Sequence, residues 1–116
     1  MNLLDVIQKI IGNINDLKNI TSQFENFKNT PDEIIRAIFD TGIDYDLQAS
    51  TNTIGKEQKE KIKNSINTIK QRVNLFHHEV LKIHAPENSQ QGLMKTQTLE
   101  AITRVYNLLR TVEVSI

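Results

Sequence analysis

The sequence predicts an all-α fold, an antiparallel bundle of about four helices (three long, one short) in a single domain spanning residues 1–116. Apolar residues recur in alternating steps of four and three through two long segments, which is the period of a helix with one buried face. Polar turns separate the helical segments, and helices joined in this way pack as antiparallel neighbours. The length of 116 residues suits one domain, since domains typically hold about 100–200 residues.

The first predicted helix covers residues 2–28. Its apolar seam is continuous apart from one polar residue, Thr21. The seam comprises Leu3, Ile7, Ile10, Ile14, Leu17, Thr21 and Phe24. Further apolar residues widen the seam on both sides, and so broad a face predicts packing against two neighbouring helices.

The second predicted helix covers residues 31–41. Thr30 offers an N-cap hydroxyl, Pro31 takes the first helical position and Glu33 places an acid where it closes a capping box. Gly42 ends the helix, because glycine adopts the left-handed conformation readily. The residues that follow, 43–54, show no sustained period, and we expect a long loop there.

The third predicted helix begins between Gly55 and Lys59 and ends at Ala85, because Pro86 disfavours the helical conformation in the residue before it. Its seam has the same spacing as that of the first helix. The seam comprises Ile62, Ile66, Ile69, Val73, Phe76, Val80 and Ile83. The matched seams predict that the first and third helices are packing partners.

The fourth predicted helix covers residues 96–112 and follows a polar turn at residues 87–95. Two neighbouring apolar stripes run along it. One comprises Leu99, Ile102, Tyr106 and Leu109, and the other Ala101, Val105, Leu108 and Val112. Such a helix is either the most enclosed element of the bundle or carries an intermolecular face. In the second case Val105, Leu108 and Val112 contact the partner.

The composition excludes several classes of function. The chain has no cysteine, which excludes a disulfide framework, a cysteine-ligated metal site and a thiol nucleophile. Fourteen basic residues balance fourteen acidic ones, so no overall field attracts nucleic acid or anionic membranes. No segment approaches the ~18 consecutive apolar residues of a transmembrane helix. We expect a soluble, cytoplasmic protein that needs no cofactor and binds neither nucleic acid nor membranes.

The neutral total is the sum of two oppositely charged halves. Residues 1–54 hold four basic and eight acidic residues, a net charge of −4, and residues 55–116 hold ten and six, a net charge of +4. The halves either fold against each other or form a dipolar molecule that self-associates or docks a partner through one charged face. Asp40, Asp44 and Asp46 cluster around the predicted loop and are candidate partner contacts.

No motif predicts a metal site. The acidic segment 40–46 lacks the glycine position and the distal glutamate of an EF-hand calcium loop. His77, His78 and Glu79 resemble half of a zinc-protease motif, but Lys82 stands where the second histidine ligand belongs. We interpret the histidines as residues at the solvent edge of the seam.

Arg72 is followed by four residues and then His77. This spacing resembles the signature of HEPN ribonucleases, a family of compact helical bundles that act as dimers with paired motifs at the interface. The resemblance implies that His77 acts as general acid and base and that Arg72 binds the phosphate. Val73 departs from the family pattern, in which a polar residue follows the arginine.

The catalytic and metal-binding patterns considered above are incomplete, which favours binding over catalysis. We expect a non-enzymatic protein–protein interaction module, such as an adaptor, assembly subunit, chaperone or immunity-type binding protein. Its partner would be another protein or a second copy of the chain, bound through a helical face. The alternative is a HEPN-like ribonuclease that uses Arg72 and His77 across a dimer interface.

Overall fold

The structure, a computed structural model, describes residues 2–22, 27–49 and 55–116, and these ranges contain five α-helices. The helices are α1 (Leu3–Thr21), α2 (Pro31–Thr41), α3 (Ile43–Ala49), α4 (Lys56–Leu81) and α5 (Gln90–Ser115). The described residues form no β-strand. The predicted all-α bundle is confirmed, with five helices instead of four.

The helices form a bundle with four corners, 49 Å long and 25 by 18 Å across. Helices α2 and α3 share one corner, since both pack against α1 and α4. Helix α5 packs against α1 and α4 at the opposite corner and closes the bundle. Elements adjacent in sequence are therefore adjacent in space, as in an up-and-down helical bundle.

Helices α1 and α4 lie diagonally across the bundle, so the prediction that they are packing partners is wrong. Within the described residues, α1 packs against α2, α3 and α5 but not against α4. The two seams face the same core from opposite corners. Their buried residues are Ile7, Ile10, Ile14, Leu17, Ile62, Ile66, Ile69, Val73, Phe76 and Val80. A seam shows that a helix has a buried face but not which neighbour covers that face.

Helix α1 ends at Thr21, so the predicted helix over residues 2–28 is too long. Phe27 lies outside any helix, yet it is half-buried and packs against Phe76 with ring centroids 5.3 Å apart. The apolar pattern thus continues into a segment that covers the core without being helical. The predicted seam residue Phe24 lies outside the described residues.

Helix α2 has the bounds that the sequence predicts. Pro31 begins it, and Gly42 follows it with a φ of 70°. The predicted capping box does not form. Thr30 occupies the N-cap position without a side-chain cap bond, and the Glu33 carboxylate pairs instead with Arg36 at 3.4 Å.

The predicted long loop contains helix α3, so that prediction is wrong for Ile43–Ala49. The chain resumes helical structure immediately after Gly42, and the backbone N–H of Asp46 donates to the Gly42 carbonyl at 2.9 Å. Ile43 and Leu47 are buried in the core and hold α3 in place. A helix this short is unstable alone and too short to establish a period in the sequence. The rest of the predicted loop lies outside the described residues.

The connection between α4 and α5 also differs from the prediction. Helix α4 ends at Leu81 rather than at Ala85, and the Lys95 ammonium of α5 donates to the carbonyls of Leu81 and Ile83 at 3.4 and 2.7 Å. Helix α5 begins well before the predicted residue 96 because Ser89 caps it. Helices α4 and α5 therefore form an antiparallel hairpin with a short connection.

Candidate functional site

The three predicted acidic contacts have different environments. Asp46 is buried, and one of its carboxylate oxygens lies 3.1 Å from the Lys61 ammonium of α4. It fastens α3 to α4 and is not free to contact a partner. Asp40 is exposed and Asp44 is partly exposed, so these two remain candidate contacts.

Two large exposed rings accompany these carboxylates. Phe39 lies near the end of α2 and is 54% exposed, and Tyr45 lies in α3 and is 71% exposed. Phe39 and Asp40 precede the bend at Gly42, and Asp44 and Tyr45 follow it. We name these four residues the elbow patch. The carboxylates follow from the sequence, but Phe39 does not: it belongs to the apolar run of α2, which predicts a core residue, and that prediction is wrong.

The elbow patch is held on a supported scaffold. Gly42 sets the bend between α2 and α3 through its left-handed φ. On the inner side, Ile38, Ile43 and Leu47 are buried. The Asp46–Lys61 ion pair adds a polar attachment to α4. A surface on helices anchored in this way is presented with little freedom, which lowers the entropic cost of binding.

The chemistry of the elbow patch suits a cationic group. Carboxylates attract lysine or arginine side chains, and the face of an aromatic ring attracts the same cations through its quadrupole. Tyrosine is also among the residues most enriched in the energetically dominant part of protein interfaces. The patch therefore has both a non-polar contact area and a charge preference.

The predicted apolar contacts on α5 need correction. Val105 and Val112 are completely buried in the core, so they are not available to a partner in this structure. Helix α5 lies between α1 and α4, and both of its apolar stripes are used for packing. Leu108 is only half-buried and lines a groove of about 570 Å³ between α1 and α5.

Arg72 and His77 lie on different flanks of α4. Arg72 is exposed on the side of α2, where it lines a pocket of about 200 Å³ with Arg36 and Asp40. The His77 ring lies on the side of α5, edge-on to the ring of Tyr106 with centroids 5.9 Å apart. Two positions five residues apart on a helix differ by about 140° around its axis, and these side chains therefore diverge within one chain.

Glu79 is a residue that the sequence analysis did not assign to any role in this fold. Its carboxylate accepts hydrogen bonds from the backbone N–H groups of Lys28 and Asn29 at 2.8 and 2.7 Å. Burial alone would raise the pKa of Glu79, but these two bonds, a hydrogen bond to the Asn29 side chain and the positive charge of Lys28 together lower it. The contact fastens the segment before α2 to α4. Only the fold reveals it, because the donors lie about fifty positions away in sequence.

The described part of the chain contains neither a group of metal-binding side chains nor a membrane-spanning helix. Among residues 2–22, 27–49 and 55–116, no three histidine, aspartate or glutamate side chains group closely enough to hold a metal ion. None of the helices in these ranges is long and apolar enough to cross a membrane.

Comparison with protein-family models, with curated proteins and with solved structures gives no match to this chain. Its function is therefore inferred from its own residues.

Proposed function

We propose that this chain is a non-enzymatic protein-interaction module and that the elbow patch is its contact surface. One observation carries the proposal: two large aromatic side chains are exposed beside two accessible carboxylates at a bend fixed by the core. The partner is a protein segment that presents lysine or arginine side chains.

The energetics favour binding at this patch. Phe39 and Tyr45 lose little conformational freedom when a partner covers them, because each ring has only two side-chain torsions. Covering an exposed aromatic ring removes a large apolar area from water. Asp44 adds charge attraction, which steers an approaching basic partner and disfavours an acidic one. Asp40 adds less, because it shares a pocket with Arg36 and Arg72.

Capture from a lysate of the cells that make the protein tests this function. We expect immobilised wild-type chain to retain a protein that the double variant Phe39→Ser/Tyr45→Ser does not retain. The double variant Leu75→Ser/Leu93→Ser is the matched control, since it removes two exposed leucines from other parts of the surface. Circular dichroism checks that both variants fold.

Retention of the same protein by the control but not by the elbow variant supports the proposal. Equal capture by all three chains, or no captured protein with wild type, contradicts it. Salt provides a second criterion, because the charged part of the contact weakens as ionic strength rises.

A further inference from the structure

Gly12 lies at the midpoint of α1, where glycine has no evident structural role in this chain. Glycine inside a helix costs about 0.5–1 kcal/mol relative to alanine. A Cβ added at Gly12 would meet no atom within 4 Å, so neither packing nor backbone conformation requires its absence. A glycine in such a place permits close approach by a backbone from outside the chain.

The residues around Gly12 form a charged stripe on the exposed flank of α1 next to α5. Asp5, Lys9, Gly12 and Asp16 follow one another in steps of four, three and four, so they lie on one face of the helix. All four are exposed. Within the described part of the chain, neither Lys9 nor Asp16 forms an ion pair, which leaves both charges available.

The stripe is complementary to itself when two copies of α1 cross antiparallel at Gly12. Lys9 precedes Gly12 by three positions and Asp16 follows it by four. In that arrangement Lys9 of each chain lies opposite Asp16 of the other, and symmetry forms the ion pair twice. Asp5 lies opposite Asn19 of the second copy, so no like charges meet.

The stripe forms the α1 wall of a groove between α1 and α5. It has a volume of about 570 Å³ beside Gly12 and Asn13, and a neighbouring hollow of about 350 Å³ extends it past Asp5. Leu108 lines both parts of the groove. Arg104 of α5 donates to the side-chain oxygen of Asn13 of α1 at 3.1 Å. The groove offers room for the side chains of a helix lying against α1.

We infer that this charged stripe of α1 binds a second copy of this chain, with the two α1 helices antiparallel and Gly12 at the two-fold axis. The surface is largely polar, so the dimer is reversible and salt-sensitive rather than obligate. This surface is separate from the elbow patch, and the inference does not depend on the proposed function.

Sedimentation of charge-reversal variants at low and high salt tests this inference. We expect wild type to dimerise reversibly. Lys9→Asp or Asp16→Lys alone should raise the dissociation constant at least about tenfold, because each change places two like charges opposite each other and the two-fold axis repeats that contact. The double reversal Lys9→Asp/Asp16→Lys restores the pairs and returns the constant to near the wild-type value.

Controls with the same change of net charge separate a local contact from a general effect. Lys82→Asp and Glu57→Lys alter exposed residues at the two ends of α4, which does not contact α1 within the described residues, and leave dimerisation unchanged. A wild-type chain that stays monomeric at millimolar concentration overturns the inference. Single reversals without effect, or a double reversal that stays dissociated, also overturn it.

Gly12→Ala should change the stability of the monomer and the affinity of the dimer in opposite directions, which a purely structural role of Gly12 would not predict. The open space around Gly12 predicts a more stable monomer, while the added methyl at the crossing point weakens the dimer at least about threefold. Unchanged or tighter dimerisation contradicts the inference. Dimerisation that is lost in Phe39→Ser/Tyr45→Ser but retained in the α1 variants assigns self-association to the elbow patch instead.

Discussion

At the scale of single residues, Glu79 joins parts of the chain that the sequence leaves unrelated. Its carboxylate accepts hydrogen bonds from the backbone N–H groups of Lys28 and Asn29, in the non-helical segment before α2. Lys28 is exposed and Asn29 is partly buried, and the charge of the acceptor strengthens both bonds. This side chain therefore helps to hold the segment before α2 against α4.

We predict that Glu79→Gln lowers the free energy of unfolding by about 1–3 kcal/mol. The amide has only one acceptor oxygen and no charge, so one backbone N–H loses its acceptor and the other makes a weaker bond. Urea denaturation measures the change. Glu87→Gln, at an exposed position in the α4–α5 connection, is the control. Equal stability of the Glu79 and Glu87 variants would contradict the role assigned to Glu79.

The same residue makes stability depend on pH. Because the folded-state pKa of Glu79 lies below the ordinary value of 4.5, its contribution is complete above that value and is lost as the pH falls through the lowered folded-state pKa. Hydrogen bonding and attraction to Lys70 lower the pKa of Glu113 too, which adds in the same direction. We expect acid to destabilise wild type more steeply than Glu79→Gln. Parallel acid profiles for the two proteins would refute this.

Two glycines in helices should respond oppositely to alanine. A Cβ on Gly92 would overlap the backbone carbonyl of Pro86, so Gly92→Ala must displace the α4–α5 connection and lowers the melting temperature. A Cβ on Gly12 meets nothing, and Gly12→Ala stabilises the fold by up to about 1 kcal/mol. Thermal unfolding of the two monomers measures both effects, and equal effects of the two substitutions would contradict the packing described.

At the scale of elements, the sequence predicted those features that depend on local chemistry. Helix α2 lies between Pro31 and Gly42 because proline suits the first turn and glycine suits the left-handed residue at the end. The spacing of apolar residues in α1 and α4 is also a local pattern, and it correctly identified the faces of these helices that are buried in the core. Helix α3 was missed because its stability comes from Ile43 and Leu47 in the core rather than from periodicity.

The attachment of α3 leads to a prediction about its local stability. Lys61→Ala removes the cation beside the buried carboxylate of Asp46, and we expect amide hydrogen exchange to become faster in Ile43–Ala49. Lys70→Ala is the matched control, since it removes an ion pair between α4 and α5. Similar exchange of α3 in both variants would contradict the anchoring role of Lys61.

The candidate site was only partly predictable at this scale. Asp40 and Asp44 were identified from their clustering, and both remain accessible. Val105 was proposed as a partner contact but fills the core, because α5 lies between α1 and α4 and uses both of its apolar stripes. The sequence shows how many apolar stripes a helix has, whereas only the packing decides how many are covered.

At the scale of the whole molecule, the two oppositely charged halves lie side by side. Helices α1, α2 and α3 carry the acidic half, and α4 and α5 carry the basic half. Among ion pairs between described residues, Lys61–Asp46 alone joins the halves. Asp40 of the acidic half also shares a pocket with Arg72 of the basic half, and exposed charges of this kind stabilise the fold only slightly.

The ribonuclease alternative makes a different prediction from a binding module. We expect purified protein to cleave no RNA, and Arg72→Ala and His77→Ala to be indistinguishable from wild type in a fluorogenic RNA assay. The physical reason is that Val73, which stands where that family has a polar residue, is completely buried in the core of this fold. RNA cleavage by wild type that both substitutions abolish, with the fold retained, would favour the HEPN-like reading.

Photo-crosslinking in the cell tests the proposed binding function most directly. A photo-reactive phenylalanine analogue replaces Tyr45 in one chain and Leu93, an exposed residue of α5, in a control chain. The elbow patch as contact surface predicts a covalent adduct between position 45 and another protein, and no such adduct from position 93. Absence of an adduct at position 45, or the same adducts at both positions, would contradict the account.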